Sequence, residues 1–255
     1  MIPASAWQAR AQALRGALLE LLLPRACVVC TRLLDAGDTG AVCGRCWVRA
    51  RQLPYPQCDR CGHPLGARGC TWCDALPPLV RAARSVCWIP GGSAGRIVHA
   101  FKYGGWTALA RGMAERMARL TWPRDVLEER CALVPVPLAR VRHRERGFNQ
   151  SEVLACALGE RWRLPVWTDC LERVRATPTQ TRLTPEERRR NVSGAFRAPP
   201  GARARLQGTH VMIVDDVLTT GATTVECANA LCAGGVRITS IVTFGRAPAA
   251  GDRVS

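Results

Sequence analysis

The chain has 255 residues, 47% of them hydrophobic, and carries a formal net charge of +16. That length suits one medium domain plus a smaller module, with apolar content enough for a real core. No apolar run reaches the roughly 18–20 residues that a membrane helix needs, which excludes a membrane span.

The charge is carried almost wholly by arginine, and Lys102 is the only lysine. An arginine skew of this kind fits a GC-rich genome. The net charge still favours phosphates, whether on a small molecule or on nucleic acid. Of 14 cysteines, eight fall between Cys27 and Cys73. The other six, Cys87, Cys131, Cys156, Cys170, Cys227 and Cys232, read as small buried hydrophobes in a reducing compartment.

In chain order, residues 1–24 come first. Trp7, Leu14, Leu18 and Leu22 form one apolar stripe, and Arg10, Arg15 and Glu20 interrupt the run. The pattern predicts an amphipathic helix stopped by Pro24 rather than a signal peptide, and a cytoplasmic protein.

Residues 25–78 form a second unit, rich in Gly, Pro and Arg, that cannot fold on its own apolar content and needs a staple. Four C-x-x-C pairs supply it: Cys27/Cys30, Cys43/Cys46, Cys58/Cys61 and Cys70/Cys73. Each pair presents two thiolates to one tetrahedral metal, and two pairs complete a four-sulfur zinc site. The short gaps within each half favour sequential pairing and two zinc ions; crossed pairing is the alternative. Disulfides suit a secreted chain, and a redox C-x-x-C normally occurs singly. An iron–sulfur cluster is the other metal reading. His63 reads as a bystander. Arg25, Arg32, Arg45, Arg49, Arg51, Arg60 and Arg68 surround the knuckles, with Trp47 and Trp72 between them. Arginines with exposed rings are the chemistry of single-strand nucleic-acid binding; the bland reading is a solvated charged face.

Residues 79–255 alternate strand and helix signals. Strands are expected at Ser85–Pro90, Cys131–Pro135, His210–Val214 and Val236–Phe244. Helices are expected at Ala94–Lys102, Trp106–Leu120, Phe148–Arg161 and Gly221–Ala233, with a short one after Pro185. Pro165–Arg175 holds strand-like pieces, and Val136–Gly147 reads as an arginine-rich loop. Alternation at these lengths predicts an α/β fold, a parallel sheet with helices on both faces.

The chemistry concentrates at 211–224. The apolar run Val211–Val214 delivers Asp215 and Asp216 to its C-terminal end, followed by Thr219, Thr220, Gly221, Ala222, Thr223 and Thr224 at the start of a helix. Glycine lets the backbone wrap closely round a ligand, and hydroxyls with free amides at a helix N-terminus face an anion. Two carboxylates beside such a cradle suit a sugar with vicinal hydroxyls, or magnesium. A Walker B strand needs a Walker A partner, and Phe101 before Lys102 rules that out. The Rossmann G-x-G-x-x-G is missing. Arg140, Arg142, Arg144 and Arg146 can clamp a pyrophosphate.

Residues 211–224 resemble the 5-phosphoribosyl-1-pyrophosphate (PRPP) loop of type I phosphoribosyltransferases. The resemblance implies that Asp215 and Asp216 hydrogen-bond the ribose hydroxyls or hold magnesium, and that Thr219, Thr220, Gly221, Ala222 and Thr223 bind the 5-phosphate. Val134–Pro137, then Arg142 and Arg146–Ser151, are similar to the ComF competence family. So are Phe101–Gly104 and a later set: Arg175, Thr177, Gln180, Leu183, Arg188, Asn191, Ala195 and Phe196. This resemblance runs from Cys27 to Phe244. It implies a type I phosphoribosyltransferase fold behind a double zinc ribbon, with zinc and magnesium as cofactors. It also implies a pyrophosphate loop with Val136, Pro137, Arg142 and Arg146, to which Lys102 is a candidate addition, and a flexible loop with Thr179, Gln180, Arg188 and Asn191. The expected partners are PRPP, single-stranded DNA during natural transformation, and competence or recombination proteins. Some purine-salvage members carry an acid, serving as general base, where this chain has Thr219. Transfer to an acceptor is therefore an alternative reading, as is a PRPP-responsive regulator, for which no helix-turn-helix signal appears.

Overall fold

Strand β5, His210–Leu218, sits inside the sheet because its residues are apolar on both sides. Met212 and Val214 face one layer; Val211 and Ile213 face the other. A run apolar on both faces is the mark of a parallel strand under helices on each side. The computed structural model describes residues 24–248 and 252, apart from 36, 39, 67, 68, 71, 90 and 176–183. The expected helix over 1–23, together with Arg68, Thr179 and Gln180, lies outside the described residues.

Four parallel strands run in the order β1-β6-β5-β2: β1 Val80–Trp88, β2 Arg130–Pro135, β5, and β6 Ile238–Arg246. Helices α2 (Gly92–Tyr103), α3 (Leu109–Ala118) and α6 (Gln150–Trp162) cover one face through Ile97, Met113, Leu154 and Leu158. Helices α7 (Pro185–Val192) and α9 (Ala222–Ala233) cover the other through Val192, Cys227 and Leu231. The expected two-sided parallel sheet is what forms.

Beyond shifts of two or three residues at element ends, three elements differ from expectation. Strand β1 begins at Val80, because its buried Arg84 interrupts the apolar signal while spending its guanidinium on the carbonyls of Asp59, Ala83 and Thr121. Strand β5 runs four residues past Val214, carrying both aspartates within the strand. The expected arginine-rich loop contains a helix, α5 (Arg140–Arg146), with no buried residue to mark it. Two further short helices, α4 (Arg124–Glu129) and α8 (Arg203–Leu206), and a two-stranded ribbon of β3 (Glu172–Arg173) with β4 (Phe196–Arg197) complete the unit.

The cysteine-rich segment is fused to this sheet rather than tethered to it. Leu53 N–H donates to Val86 O at 3.0 Å and Gln52 bridges Cys87, so the segment runs along the open edge of β1. Covering an edge strand removes a template for intermolecular pairing. Cys27, Val29, Cys43 and Cys46 join the apolar layer of α2 and α3, whereas Cys61 and Leu76 join the layer of α9. Helix α1, Gly44–Arg49, carries Trp47, which packs edge-on to Phe244 and under Arg116, 3.7 Å from its ring centre.

Candidate functional site

The sulfurs of Cys27, Cys30, Cys43 and Cys46 lie within 4.8 Å of one another, and so do those of Cys58, Cys61, Cys70 and Cys73. Sequential pairing is the arrangement found. Cys30 and Cys43 sulfurs are 3.8 Å apart, and Cys58–Cys73 and Cys61–Cys70 are each 3.2 Å. Four sulfurs about 2.3 Å from one zinc stand roughly 3.8 Å from each other, so both groups fit that ion. Burial pushes the Cys27 thiol up, but the backbone amides of Cys43, Val29 and Cys30 outweigh it and bring the group to about 6. Cys58 is brought to about 7 against the same burial by the amides of Cys61 and Arg60 and by Cys73. Backbone amides thus turn toward the sulfurs of Cys27 and Cys58 and favour the thiolate a metal needs, whereas burial raises Cys46 and Cys73. His63 stands outside both groups, its Nε2 2.9 Å from Asp252.

Trp47 and Trp72 are not the exposed rings expected of a single-strand platform. Trp47 is wedged between Arg116 and Gly112. Trp72 lies under Arg246, 4.7 Å from its ring centre. Of the nearby arginines, Arg32 is tied to Asp35 and Asp38, and Arg60 to the carbonyls of Leu76 and Pro77.

The second constellation lies beyond the C-terminal ends of the strands, where open α/β sheets take their ligands. Asp216 is buried and its Oδ2 meets Lys102 Nζ, at the end of α2, at 2.7 Å. Burial pulls Lys102 down, yet the Asp216 carboxylate and then Asp215 outweigh it and hold the ammonium above its ordinary value. Ser151, fully buried on the first turn of α6, donates to Asp215 Oδ1 at 2.8 Å. Asn149 caps that helix through the Ser151 amide and donates its own side-chain amide to Val136 O. Burial, with the Asp216 charge, pushes the Asp215 carboxyl up to about 7, against Lys102 and Ser151. Sequence reasoning named the Asn-Gln-Ser run only as part of a resemblance. Its first-turn position on α6, beside a capping Asn, was the signal that Ser151 points at the acids.

The turn Thr219–Thr223 follows at once. Gly221 takes φ 79°, which suits glycine. Thr224 Oγ1 donates to Gly221 O at 3.1 Å, tying the turn to α9. The first amides of this 12-residue helix are directed at the turn. Arg146 reaches the same end of the sheet: it stacks on Tyr103 and donates to Gln150 at 2.8 Å. Val136 N–H is bonded to Val214 O, so the start of the arginine-rich segment is pinned to β5. Pro137 follows it. Arg142 pairs with Glu145 at 2.8 Å on the exposed side of α5. Arg188 and Asn191 lie on α7; the Asn191 carbonyl accepts from Arg175. Arg189 of the same helix lines a cavity of about 230 Å³ with Thr220 and Gly221, which puts α7 beside the turn. A larger cleft, about 450 Å³, opens between α5 and the β3–β4 ribbon and is lined by Arg140, Arg173, Arg175 and Arg197.

The family of the Double zinc ribbon domain matches residues 18–77. Over 84% of this chain and 94% of its own length, the DNA utilization protein YhgH of Escherichia coli (strain K12) is 33% identical. Competence protein F of Haemophilus influenzae is 28% identical over 87% of this chain and 96% of its own. Competence protein ComFC of Bacillus subtilis is 26% identical, covering 71% and 74%. Among solved structures, glutamine PRPP amidotransferase from B. subtilis, complexed with ADP and GMP, aligns with a TM-score of 0.37 at 16% identity, over 56% of this chain and 30% of that enzyme. A relative one-third identical over most of both chains, with two competence proteins beside it, shows the family: the chain belongs to the ComF competence family.

Proposed function

We propose that this chain binds PRPP with magnesium through its phosphoribosyltransferase-type site and acts in the handling of single-stranded DNA during DNA uptake. The observation that carries the first part is the pairing, on one strand end, of Asp215 and Asp216 with the Thr219–Thr223 turn. Vicinal ribose hydroxyls suit the two carboxylates, and the 5-phosphate suits the hydroxyls and amides of the turn. Magnesium is satisfied by one or two carboxylates with ligand phosphates, so the aspartate pair fits it; bound, it would neutralise pyrophosphate charge. Lys102 and Arg146 supply the cations on the side where a pyrophosphate would lie. The names of the family's relatives, a DNA utilization protein and two competence proteins, support the second part. So does the cleft lined by Arg140, Arg173, Arg175 and Arg197, where Glu172 pairs with Arg197 and the lining keeps a net positive charge suited to a polyanion.

Thermal melting with PRPP and magnesium tests the first part. The expected result is a ligand-dependent rise in melting temperature that D215N/D216N abolishes; equal stabilisation of that variant sinks the reading. For the second part, single-stranded DNA is titrated across a salt series. Affinity falling steeply with salt supports it, and no binding at low salt removes it.

A further inference from the structure

Arg246, the last residue of β6, is fully buried, and among the described residues no carboxylate pairs with it. Its Nη2 donates to the carbonyl of Cys61 at 2.5 Å, while Nε and Nη1 are buried without a partner. An uncompensated buried guanidinium costs several kcal/mol, so an unpaired one points to a missing negative charge. The closest source is the second cysteine group. Four thiolates around one Zn²⁺ leave a net double negative charge, and Arg246 is bonded to the backbone of one of the four ligands, Cys61. The other face of the same guanidinium covers Trp72, which sits between the ligands Cys70 and Cys73. Trp72 in turn lies against the phosphate turn: a Cβ placed on Gly221 would be 3.3 Å from its Cη2. The backbone repeats the connection. Arg246 is in register with Leu218, and Ala247 N–H donates to Leu218 O at 2.8 Å, one residue before the turn.

We propose that Arg246 is the counter-cation of the second zinc–tetrathiolate centre, and that through Trp72 this centre positions the phosphate turn at Gly221. The second half of the proposal rests on the reading of that turn as a 5-phosphate site. Zinc at Cys58, Cys61, Cys70 and Cys73 fixes the loop carrying Trp72. The ring, clamped between the guanidinium and the glycine, then holds the turn in the shape a phosphate requires. Arg246 and Trp72 are positioning residues and touch no reacting atom. The coupling is reciprocal, so a ligand on the turn also retains the second zinc.

Two readouts on the full-length, zinc-loaded protein test it. The first is zinc release into a chromogenic chelator. R246M is expected to lose one of the two zinc equivalents about 10-fold faster or more, the size of effect typical of a group bonded to a metal ligand, with the other at the wild-type rate. Release of both at the wild-type rate overturns the counter-cation role. Should R246M not fold, R246Q, which removes the charge but keeps a polar head, carries this arm with the same two outcomes. The second readout is hydrogen exchange of amides 218–224. W72A is expected to speed it and W72F to restore it; unchanged exchange in W72A overturns the coupling. Where wild type binds magnesium–PRPP, W72A is expected to bind about 5-fold more weakly or worse. Wild-type protein that binds no PRPP, yet shows the exchange response, sinks the functional reading and leaves the coupling standing.

Discussion

Lys102, the single lysine of the chain, reaches the floor of the site on a long, slim side chain. The ammonium is about a fifth exposed and Asp216 almost wholly buried. Removing one partner of such a pair strands the other in a poorly solvated position. K102M is expected to cost about 2–3 kcal/mol in urea unfolding, below the ~3–5 kcal/mol of a fully buried pair because the lysine keeps some water. The double variant K102M/D216N recovers most of that loss. Asp215 gives a pH signature. Its carboxyl titrates at about 7 in the fold and near its ordinary 3.8 when unfolded. Above pH 7 it is charged in both states, and the folded state bears the whole penalty of that buried charge. As pH falls from 7 toward 4 only the folded state takes up the proton, so this group adds stability on acidification. Buried His210 works in the opposite sense. Burial holds it below its ordinary value, so the unfolded state protonates first below about pH 6.5. The difference between wild type and D215N isolates the aspartate: D215N is expected to be the more stable at pH 8, with the gap closing by pH 5. The acidic pair was legible in the sequence because two adjacent charges break an otherwise apolar run just before the T-T-G-x-T turn. The Lys102 contact was not, since it joins residues on two separate elements.

At the scale of elements, the first cysteine centre depends on a gap in α3. A Cβ on Gly112 would sit 2.6 Å from Trp47 Cζ2, inside any tolerable contact. Alanine is favoured over glycine by about 1 kcal/mol within a helix, yet here the ring must move off Phe244 and Arg116. G112A is expected to lower stability by about 1–3 kcal/mol on balance and to speed zinc release from the first centre only, read by melting and by chelator kinetics. Cysteine pairing was legible because ligand spacing is local: each four-sulfur group lies within one short stretch of chain. Helix α5 was not, because a helix without a buried face carries no periodic signal. The half-burial of Trp47 and Trp72 escaped for a different reason: the surfaces against them, on α3 and at the end of β6, arrive much later in the chain.

For the whole molecule, the two cysteine centres straddle β1, one against each apolar layer, and the segment between them covers its edge. Zinc removal is therefore expected to lower the melting temperature of the entire chain in one transition and to promote association through the uncovered edge, followed by calorimetry and light scattering with and without a strong chelator. A second transition unchanged by chelation would show a sheet that stands without its ribbons. The bond from Arg246 to the Cys61 carbonyl spans 185 residues. During synthesis the second cysteine centre leaves the ribosome early, while the residue that neutralises it is made with the final strand. The module translated first is thus completed last. Until β6 docks, its metal is held without its counter-charge, which makes the nascent chain the stage at which this protein is most easily robbed of zinc.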